Sequence, residues 1–141
     1  MTQVIYYAHC VADYGSQREK KDIRLIHKLW PDATVINPAV DTREADWVEK
    51  GMAHFDDLLV ELEIDMVVFR GVITKQCIYR QRDLAVTAGT FYEAKAAHRA
   101  GLPVVELPYL YKTCRLVLDR QDTNLHIKAV KAEQDDKDAE S

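Results

Sequence analysis

The sequence predicts an α/β fold, in which about five parallel strands form one sheet and helices cover both of its faces. Short apolar runs alternate along the chain with longer segments of helical periodicity. The run from 64 to 69 is almost wholly apolar, as in a strand buried on both sides of a parallel sheet. Strands that alternate with helices form right-handed βαβ units. The predicted architecture is therefore a three-layer sandwich of the Rossmann-like or flavodoxin-like kind.

The first half of the chain contains three predicted strands, over 3–8, 34–36 and 64–69. A helix begins after Ser16, because Ser16-Gln17-Arg18-Glu19 has the pattern of a capping box, and it ends near Leu29, before Pro31. A second helix is predicted over 46–62 from its apolar residues at helical spacing.

The second half begins with the segment 71–86, which is rich in Lys and Arg and is predicted to be a loop over a site. A third helix is predicted over 90–100, with Gly101 as its C-cap and Pro103 beyond. A strand over 103–107 follows, 114–118 is predicted as a fifth strand at the sheet edge, and 125–130 is a weaker candidate. Residues 133–141 are acidic and predicted to be a disordered tail, which leaves 1–132 as a single domain.

Composition excludes several classes of function. The chain has 141 residues, of which 48% are hydrophobic, and this is enough for one globular domain with a core. Its net charge of −4 is unlike that of a nucleic-acid-binding surface. No apolar run approaches the roughly 20 residues that span a bilayer, and no signal peptide is visible. We therefore expect a cytoplasmic protein with no membrane or nucleic-acid partner.

The cysteines and histidines give no sign of a metal site. Cys10, Cys77 and Cys114 are odd in number and widely spaced, which fits a reducing compartment without a disulfide framework. No His-x-x-x-His motif or Cys/His cluster is present. We expect neither a metal nor a cofactor.

Glu93 is the main catalytic candidate. In parallel sheets, ligands bind beyond the carboxyl ends of the strands, and the segments 6–18, 70 onward and 87–93 should reach that edge. A glutamate there could attack the anomeric carbon of a sugar and form a glycosyl-enzyme, as in retaining glycosidases. Tyr6 lies near the end of the first strand. In the alternative interpretation, Thr90 and Glu93 form a capping box and Glu93 only caps its helix.

Two further positions carry alternative interpretations. Gly15, Ser16 and Arg18 could bind a phosphate, because a helix N-terminus offers free N–H groups and the arginine adds a charge, although Ser16 could equally be only a helix cap. Asp65 stands at the start of an apolar strand. It could act at the site if its side chain reaches that far, or it could simply cap the strand or pair with a lysine. His9 follows the first strand and could line the pocket.

Three groups of residues together resemble the nucleoside 2-deoxyribosyltransferase superfamily, which includes the 2′-deoxynucleoside 5′-phosphate N-hydrolases. They are Ile5-Tyr6-Tyr7-Ala8, Asp65-Met66-Val67-Val68, and Gly89-Thr90-Phe91-Tyr92-Glu93-Ala94 with Gly101-Leu102-Pro103-Val104. The resemblance covers roughly residues 4–107, with the motifs in the expected order. The sequence departs from the family pattern at His9, where a glycine is usual, and at Thr87, in the neighbourhood of an aspartate of the transferases.

The resemblance implies a role for each matching residue. Glu93 is similar to the nucleophile that attacks C1′ of the sugar, and Tyr6 to the tyrosine that hydrogen-bonds near that carboxylate. Asp65 is similar to the aspartate that assists protonation of the leaving base. The substrate- and phosphate-binding residues expected at the site are His9, Gly15, Ser16, Arg18, Gly89 and Thr90.

Besides a regulatory or interaction protein whose pocket is vestigial, two functions that use the pocket are open at this point. The first is cleavage or transfer of the N-glycosidic bond of a (deoxy)nucleoside or its 5′-monophosphate through a covalent glycosyl-glutamate, resolved by water in a hydrolase or by a second base in a transferase. The second is a non-catalytic nucleotide-binding module, a sensor or sequestering protein, on the same fold. Either would bind a small-molecule nucleoside or nucleotide, and we expect a homodimer or a higher homo-oligomer.

Overall fold

A computed structural model of the protein describes residues 3–71 and 86–107. Four parallel strands form one sheet: β1 (Val4–Ala8), β2 (Thr34–Ile36), β3 (Met66–Arg70) and β4 (Val104–Leu107). The predicted α/β class with a parallel sheet is therefore confirmed. The predicted fifth strand, the weaker candidate after it, the acidic tail and most of the predicted loop over 71–86 lie outside the described residues.

The strands lie in the order β2-β1-β3-β4. The chain winds outward from β1 to β2 and then crosses back over β1 to reach β3 and β4, so the direction of winding reverses between β1 and β3. This is the arrangement of flavodoxin-like sheets, in which the ligand crevice opens at the carboxyl ends of the two strands at the reversal. Ala8 pairs with Phe69, so the segments that follow β1 and β3 leave the sheet side by side.

The described residues also form five α-helices, α1 (Gln17–Leu29), α2 (Pro38–Asp41), α3 (Glu44–Lys50), α4 (Ala53–Glu61) and α5 (Ala88–Arg99), and a short 3-10 turn over Val11–Asp13. The single helix predicted over 46–62 is wrong. The chain breaks into α3 and α4 at Gly51, whose φ of 62° ends α3 in a conformation that glycine adopts readily. None of these helices is long and apolar enough to cross a membrane.

Alternate side chains of β1 pack on opposite faces of the sheet, as the two-residue period of a strand requires. Ile5 and Tyr7 belong to a buried cluster with Ile26 of α1. Tyr6 belongs to the cluster on the other face, with Phe55 of α4 and with residues of α5. Helix α1 therefore covers one face of the sheet, and α4 and α5 cover the other.

The start of α5 differs from the prediction in a way that concerns Glu93. Thr87 is the N-cap, and its hydroxyl accepts a hydrogen bond from the Thr90 amide at 3.3 Å, so the helix begins at Ala88 and not at Thr90. The first turn carries no acidic residue, and Glu93 lies in the second turn. The capping-box interpretation of Glu93 is therefore wrong, because Glu93 is six residues beyond the cap and not three.

We expect Thr87→Ala to lower the free energy of unfolding by about 1 kcal/mol, because the Thr90 amide would lose the side-chain oxygen that caps the helix. Thr87→Ser keeps that oxygen and should retain most of the stability. Urea unfolding followed by circular dichroism measures the difference. Equal stability of Thr87→Ala and the wild type would show that the cap contributes nothing.

Candidate active site

The carboxyl group of Glu93 is buried between α5 and the sheet, with only 6% of the residue exposed. Burial raises the pKa of Glu93 to about 8, and the adjacent Tyr6 hydroxyl opposes part of that rise. Most of the population is therefore protonated at neutral pH. A carboxyl group with a pKa this close to neutrality can both take up and release a proton under physiological conditions, which is typical of functional sites.

Tyr6 is the neighbour of Glu93. It is fully buried in β1, and its ring packs edge-on against Phe55 at a centroid distance of 4.9 Å. Burial and then the charge of Glu93 raise the pKa of Tyr6 well above its ordinary value, so the hydroxyl keeps its proton. Within residues 3–71 and 86–107 that hydroxyl makes no hydrogen bond of normal geometry, yet it lies close enough to the Glu93 carboxyl group that their contact lowers the pKa of Glu93 and raises that of Tyr6. The structure thus brings the predicted pair Tyr6 and Glu93 together.

His9, which was expected to line the pocket, is held within the loop that follows β1. Its Nδ1 lies 3.1 Å from the Tyr7 carbonyl oxygen, and its Nε2 lies 2.8 Å from the Glu19 carboxylate. Its ring also stacks on the Tyr7 ring at 4.0 Å. Both polar contacts are with acceptor oxygens. His9 thereby joins β1 to α1 and is buried.

The Glu19 carboxylate organises this loop. It accepts hydrogen bonds from His9, from the Gly15 amide at 3.1 Å and from the Asn37 side-chain amide at 3.1 Å. Burial by itself would raise the pKa of Glu19, but these hydrogen bonds outweigh burial and lower it. The Ser16 hydroxyl caps α1 by accepting from the Glu19 amide at 3.2 Å, as predicted, whereas the Glu19 side chain binds Gly15 and not Ser16.

The residues expected to hold a phosphate lie together at the start of α1, but their donors already have partners. Gly15 has a φ of 77°, and its amide is the one bound by the carboxylate just described. The Ser16 hydroxyl donates to the Asp13 carbonyl at 2.6 Å. Arg18 donates to the Gly71 carbonyl at 2.6 Å and lies 3.8 Å from the Asp13 carboxylate. To bind here, a phosphate would have to replace the present hydrogen-bond acceptors of these donors.

Another buried carboxylate, that of Asp22 in α1, pairs with Arg70 at the end of β3. Asp22 is 1% exposed, and it accepts from Arg70 through Nε at 3.0 Å and Nη2 at 2.6 Å, and also from the Tyr7 hydroxyl. Burial alone would lower the pKa of Arg70, but Asp22 outweighs burial and raises it. Burial and the charge of Arg70 lower the pKa of nearby Arg18. Two arginines therefore stand at the carboxyl edge, next to the ends of β1 and β3.

Gly89 and Thr90 lie in the first turn of α5. A Cβ on Gly89 would stand 3.8 Å from the Met52 sulfur, which is ordinary contact, so this glycine is not required by close packing. Thr90 is buried, and its hydroxyl accepts from the Thr87 hydroxyl at 3.0 Å. Thr90 thus helps to stabilise the first turn of α5 through its contacts with Thr87.

The structure does not bring Asp65 together with Glu93 and Tyr6. Asp65 is exposed and stands immediately before β3, and its carboxylate accepts from the Val4 amide at 2.8 Å. A residue that precedes a parallel strand lies at the amino edge of the sheet, whereas the ligand crevice opens at the carboxyl edge. The alternative interpretation, that Asp65 caps the strand, is the one that the structure supports.

Tyr14 is a residue of the site that the sequence did not single out. It lies on the loop after β1, 37% exposed, with its ring centroid 4.8 Å from that of His9. Burial and then the charge of Glu93 raise the pKa of Tyr14, which places its phenol within the field of that carboxylate. In the sequence, the only indication of this role is that Tyr14 is an aromatic residue shortly after the end of β1.

Comparisons with known proteins assign no family: no family model matches the chain, and no curated protein sequence resembles it at a significant level. Within residues 3–71 and 86–107, no cluster of His, Cys, Asp and Glu could hold a metal ion. Around Glu93 the site consists of a buried carboxyl group, a tyrosine hydroxyl beside it and a half-exposed phenol, whereas the two arginines stand at the same edge of the sheet on the side that α1 covers.

Proposed function

We propose that this chain cleaves or transfers the N-glycosidic bond of a (deoxy)nucleoside or its 5′-monophosphate, as the sequence resemblance to the nucleoside 2-deoxyribosyltransferase superfamily implies. The observation that carries the proposal is the position of Glu93. Its carboxyl group is buried next to Tyr6, away from the helix cap, at a cost in stability that a structural role does not explain. Groups with pKa values shifted by burial cluster at functional sites.

The proposed reaction uses Glu93 in its ionised form. A Glu93 carboxylate oxygen attacks C1′ and forms an ester, while the C1′–N bond breaks and its electron pair leaves with the base, which takes up a proton from water. Water, or a nitrogen of a second base, then attacks C1′ and gives up a proton to the solvent, and the ester bond breaks to release the carboxylate. The Tyr6 hydroxyl keeps its own proton, so it can donate to the ionised carboxylate and stabilise it.

This proposal predicts how activity depends on pH. Because the pKa of Glu93 is about 8 and the reactive form is the ionised one, kcat/KM should rise about tenfold per pH unit below that value and level off above it. Base release from deoxynucleosides and their 5′-monophosphates, with and without an acceptor base, can be followed by chromatography. Acceptor dependence separates a transferase from a hydrolase.

The decisive variant is Glu93→Gln, which should lower base release roughly 10⁴-fold or more, the scale observed when a nucleophile is removed. Glu49→Gln makes the same chemical change on the exposed surface of α3 and is the matched control, with activity unchanged. Equal rates for Glu93→Gln and the wild type would remove Glu93 from the mechanism. No release from any substrate, with nucleotide binding retained, would favour a binding module.

The binding module is the second candidate because of one specific observation. Asp65, which was expected to protonate the departing base, binds the Val4 amide at the opposite edge of the sheet. A sensor or sequestering protein needs no such acid, and in that case Glu93→Gln would leave nucleotide affinity within a few-fold of the wild type.

We also propose the finer features of the architecture. In flavodoxin-like sheets a fifth strand lies beside the fourth, and residues 114–118 would supply it to complete a three-layer sandwich within residues 1–132. A homo-oligomer is supported by the exposed side chains of Val40, Val48 and Val60 on α2, α3 and α4, which a second copy could cover. A cytoplasmic location is supported by the odd number of widely spaced cysteines.

A further inference from the structure

Two buried side-chain polar atoms have no hydrogen-bond partner within residues 3–71 and 86–107, Tyr6 Oη and His54 Nδ1. An unpartnered buried polar group destabilises the folded state, so native proteins keep few of them. Both residues lie on the face of the sheet that α4 and α5 cover. Tyr6 has a role in the proposed reaction, whereas that reaction assigns no role to His54.

The position of His54 connects it to the site. His54 lies in the first turn of α4 with 6% of the residue exposed, and the next residue, Phe55, packs against Tyr6. Met52, the residue just before α4, reaches the first turn of α5, where its sulfur would stand 3.8 Å from a Cβ placed on Gly89. Because α4 runs back toward the start of β3, its first turn lies toward the carboxyl edge of the sheet, where α5 also begins. The His54 ring meets the Trp47 ring at 4.8 Å and 88°.

We propose that His54 is a ligand-binding residue of the Glu93 site, and that its Nδ1 hydrogen-bonds to the polar edge of a planar heterocyclic base held beside Trp47. This inference rests on the proposed function and names the residue that holds the leaving base. A nucleobase fits because its edge carries both donors and acceptors, so it can pair with either tautomer of the ring, and its faces suit an aromatic wall. Pockets of this kind combine apolar walls with a few placed polar groups.

A structural histidine would behave differently. If a buried water supplied the hydrogen bond of Nδ1, His54 would stabilise the ligand-free protein and its replacement would lower stability. If a ligand supplies the bond, the ligand-free protein holds an unsatisfied polar atom. Then His54→Phe, which keeps an aromatic ring and removes that atom, leaves the ligand-free protein as stable or more stable while it weakens binding. The two roles therefore predict opposite signs.

The experiment measures two quantities for the wild type, His54→Phe and His54→Asn. The first is the Tm without ligand, by calorimetry. The second is the Kd of adenine, hypoxanthine and cytosine and of their deoxynucleoside 5′-monophosphates, by titration calorimetry. For His54→Phe we expect an equal or higher Tm and an affinity about tenfold weaker, the loss of one hydrogen bond. His54→Asn places an amide near Nδ1 and should recover part of the affinity. His27→Phe, on the exposed surface of α1, should leave binding unchanged.

The outcomes separate this inference from the proposed reaction. His54-dependent binding without any base release supports the base-binding role and removes the glycosidic mechanism. Base release with kcat and KM unchanged in His54→Phe overturns the role of His54 alone. A lower Tm with unchanged affinity identifies a structural histidine and likewise overturns it. Failure of the wild type to bind any of these bases or nucleotides overturns both proposals.

Discussion

Glu93→Gln should make the protein more stable at neutral pH, although it removes the proposed nucleophile. Burial raises the pKa of Glu93 from an ordinary 4.5 to about 8, so the folded state binds a proton that the unfolded state has released. A group whose pKa is raised on folding contributes its full stability below its unfolded pKa, and that stability is lost as the pH rises through its folded pKa. A neutral glutamine does not titrate, so its contribution to the free energy of unfolding does not change between pH 4.5 and about pH 8.

The size of the effect follows from the shift. Each pKa unit corresponds to about 1.4 kcal/mol, so ionisation of Glu93 in the unfolded state, while the folded state keeps the proton, should lower the free energy of unfolding by on the order of 3 kcal/mol between about pH 5 and pH 8. Other groups titrate over the same range, so the informative quantity is the difference between wild type and variant. Urea unfolding at a series of pH values should show Glu93→Gln gaining stability over the wild type steadily as the pH rises.

Glu49→Gln provides the control, because Glu49 is exposed on α3 and its difference from the wild type should stay flat with pH. A flat difference for Glu93→Gln as well would mean that Glu93 is ionised in the folded protein at neutral pH. That result would also remove the expected rise of kcat/KM toward about pH 8, because both depend on the same protonation. Stability and activity therefore test one physical property in two ways.

Elements defined by contiguous apolar runs were predicted well. The bounds of β2 agree with the prediction, and those of β1, β3 and β4 agree within two residues, because a strand buried on both faces needs an apolar run that few other segments have. The break between α3 and α4 was missed because the apolar period continues across it. Only the backbone conformation of Gly51 reveals the break.

The start of α5 shows the limit of local pattern reasoning. Thr87 and Thr90 each suit an N-cap, and sequence alone does not choose between them. The choice decides whether Glu93 caps the helix or faces Tyr6, and the structure selects Thr87. The position of Asp65 follows from the strand itself, since the direction of a parallel strand already assigns the residue before it to the amino edge of the sheet.

The side chains that the sequence left unnoticed depend on partners far away in the chain. Asp22 meets Arg70, which is 48 residues later, and no periodicity or motif joins the two positions. The sequence marks His54 only as a helix-surface or edge residue, but the structure buries it, and its Nδ1 has no hydrogen-bond partner within residues 3–71 and 86–107. Hydrogen bonding between elements, unlike the periodicity of one element, becomes visible only in three dimensions.

Asp22→Ala should lower the free energy of unfolding by about 3–5 kcal/mol, the cost of removing one partner from a buried ion pair. Arg70 would lose a contact made through both Nε and Nη2 while its side chain stays 80% covered, and the Tyr7 hydroxyl would lose its acceptor. Chemical denaturation at pH 7 measures the loss. Asp22→Asn keeps the shape and one acceptor oxygen, so it should lose less than Asp22→Ala, and the difference reports the charge.

The stability lost in Asp22→Ala should come mainly from leaving the Arg70 charge partly buried without a partner. The net contribution of the ion pair to the stability of the wild type should be smaller. The attraction within a buried ion pair offsets only part of the cost of removing both charges from water. The double variant Asp22→Leu with Arg70→Met should therefore recover most of the stability lost by either single variant. If it does, the fold does not need the pair, and its retention at the carboxyl edge beside Arg18 is explained better by function than by stability. If the double variant is as unstable as Asp22→Ala, the pair holds α1 against β3, and the loop before α1 depends on it.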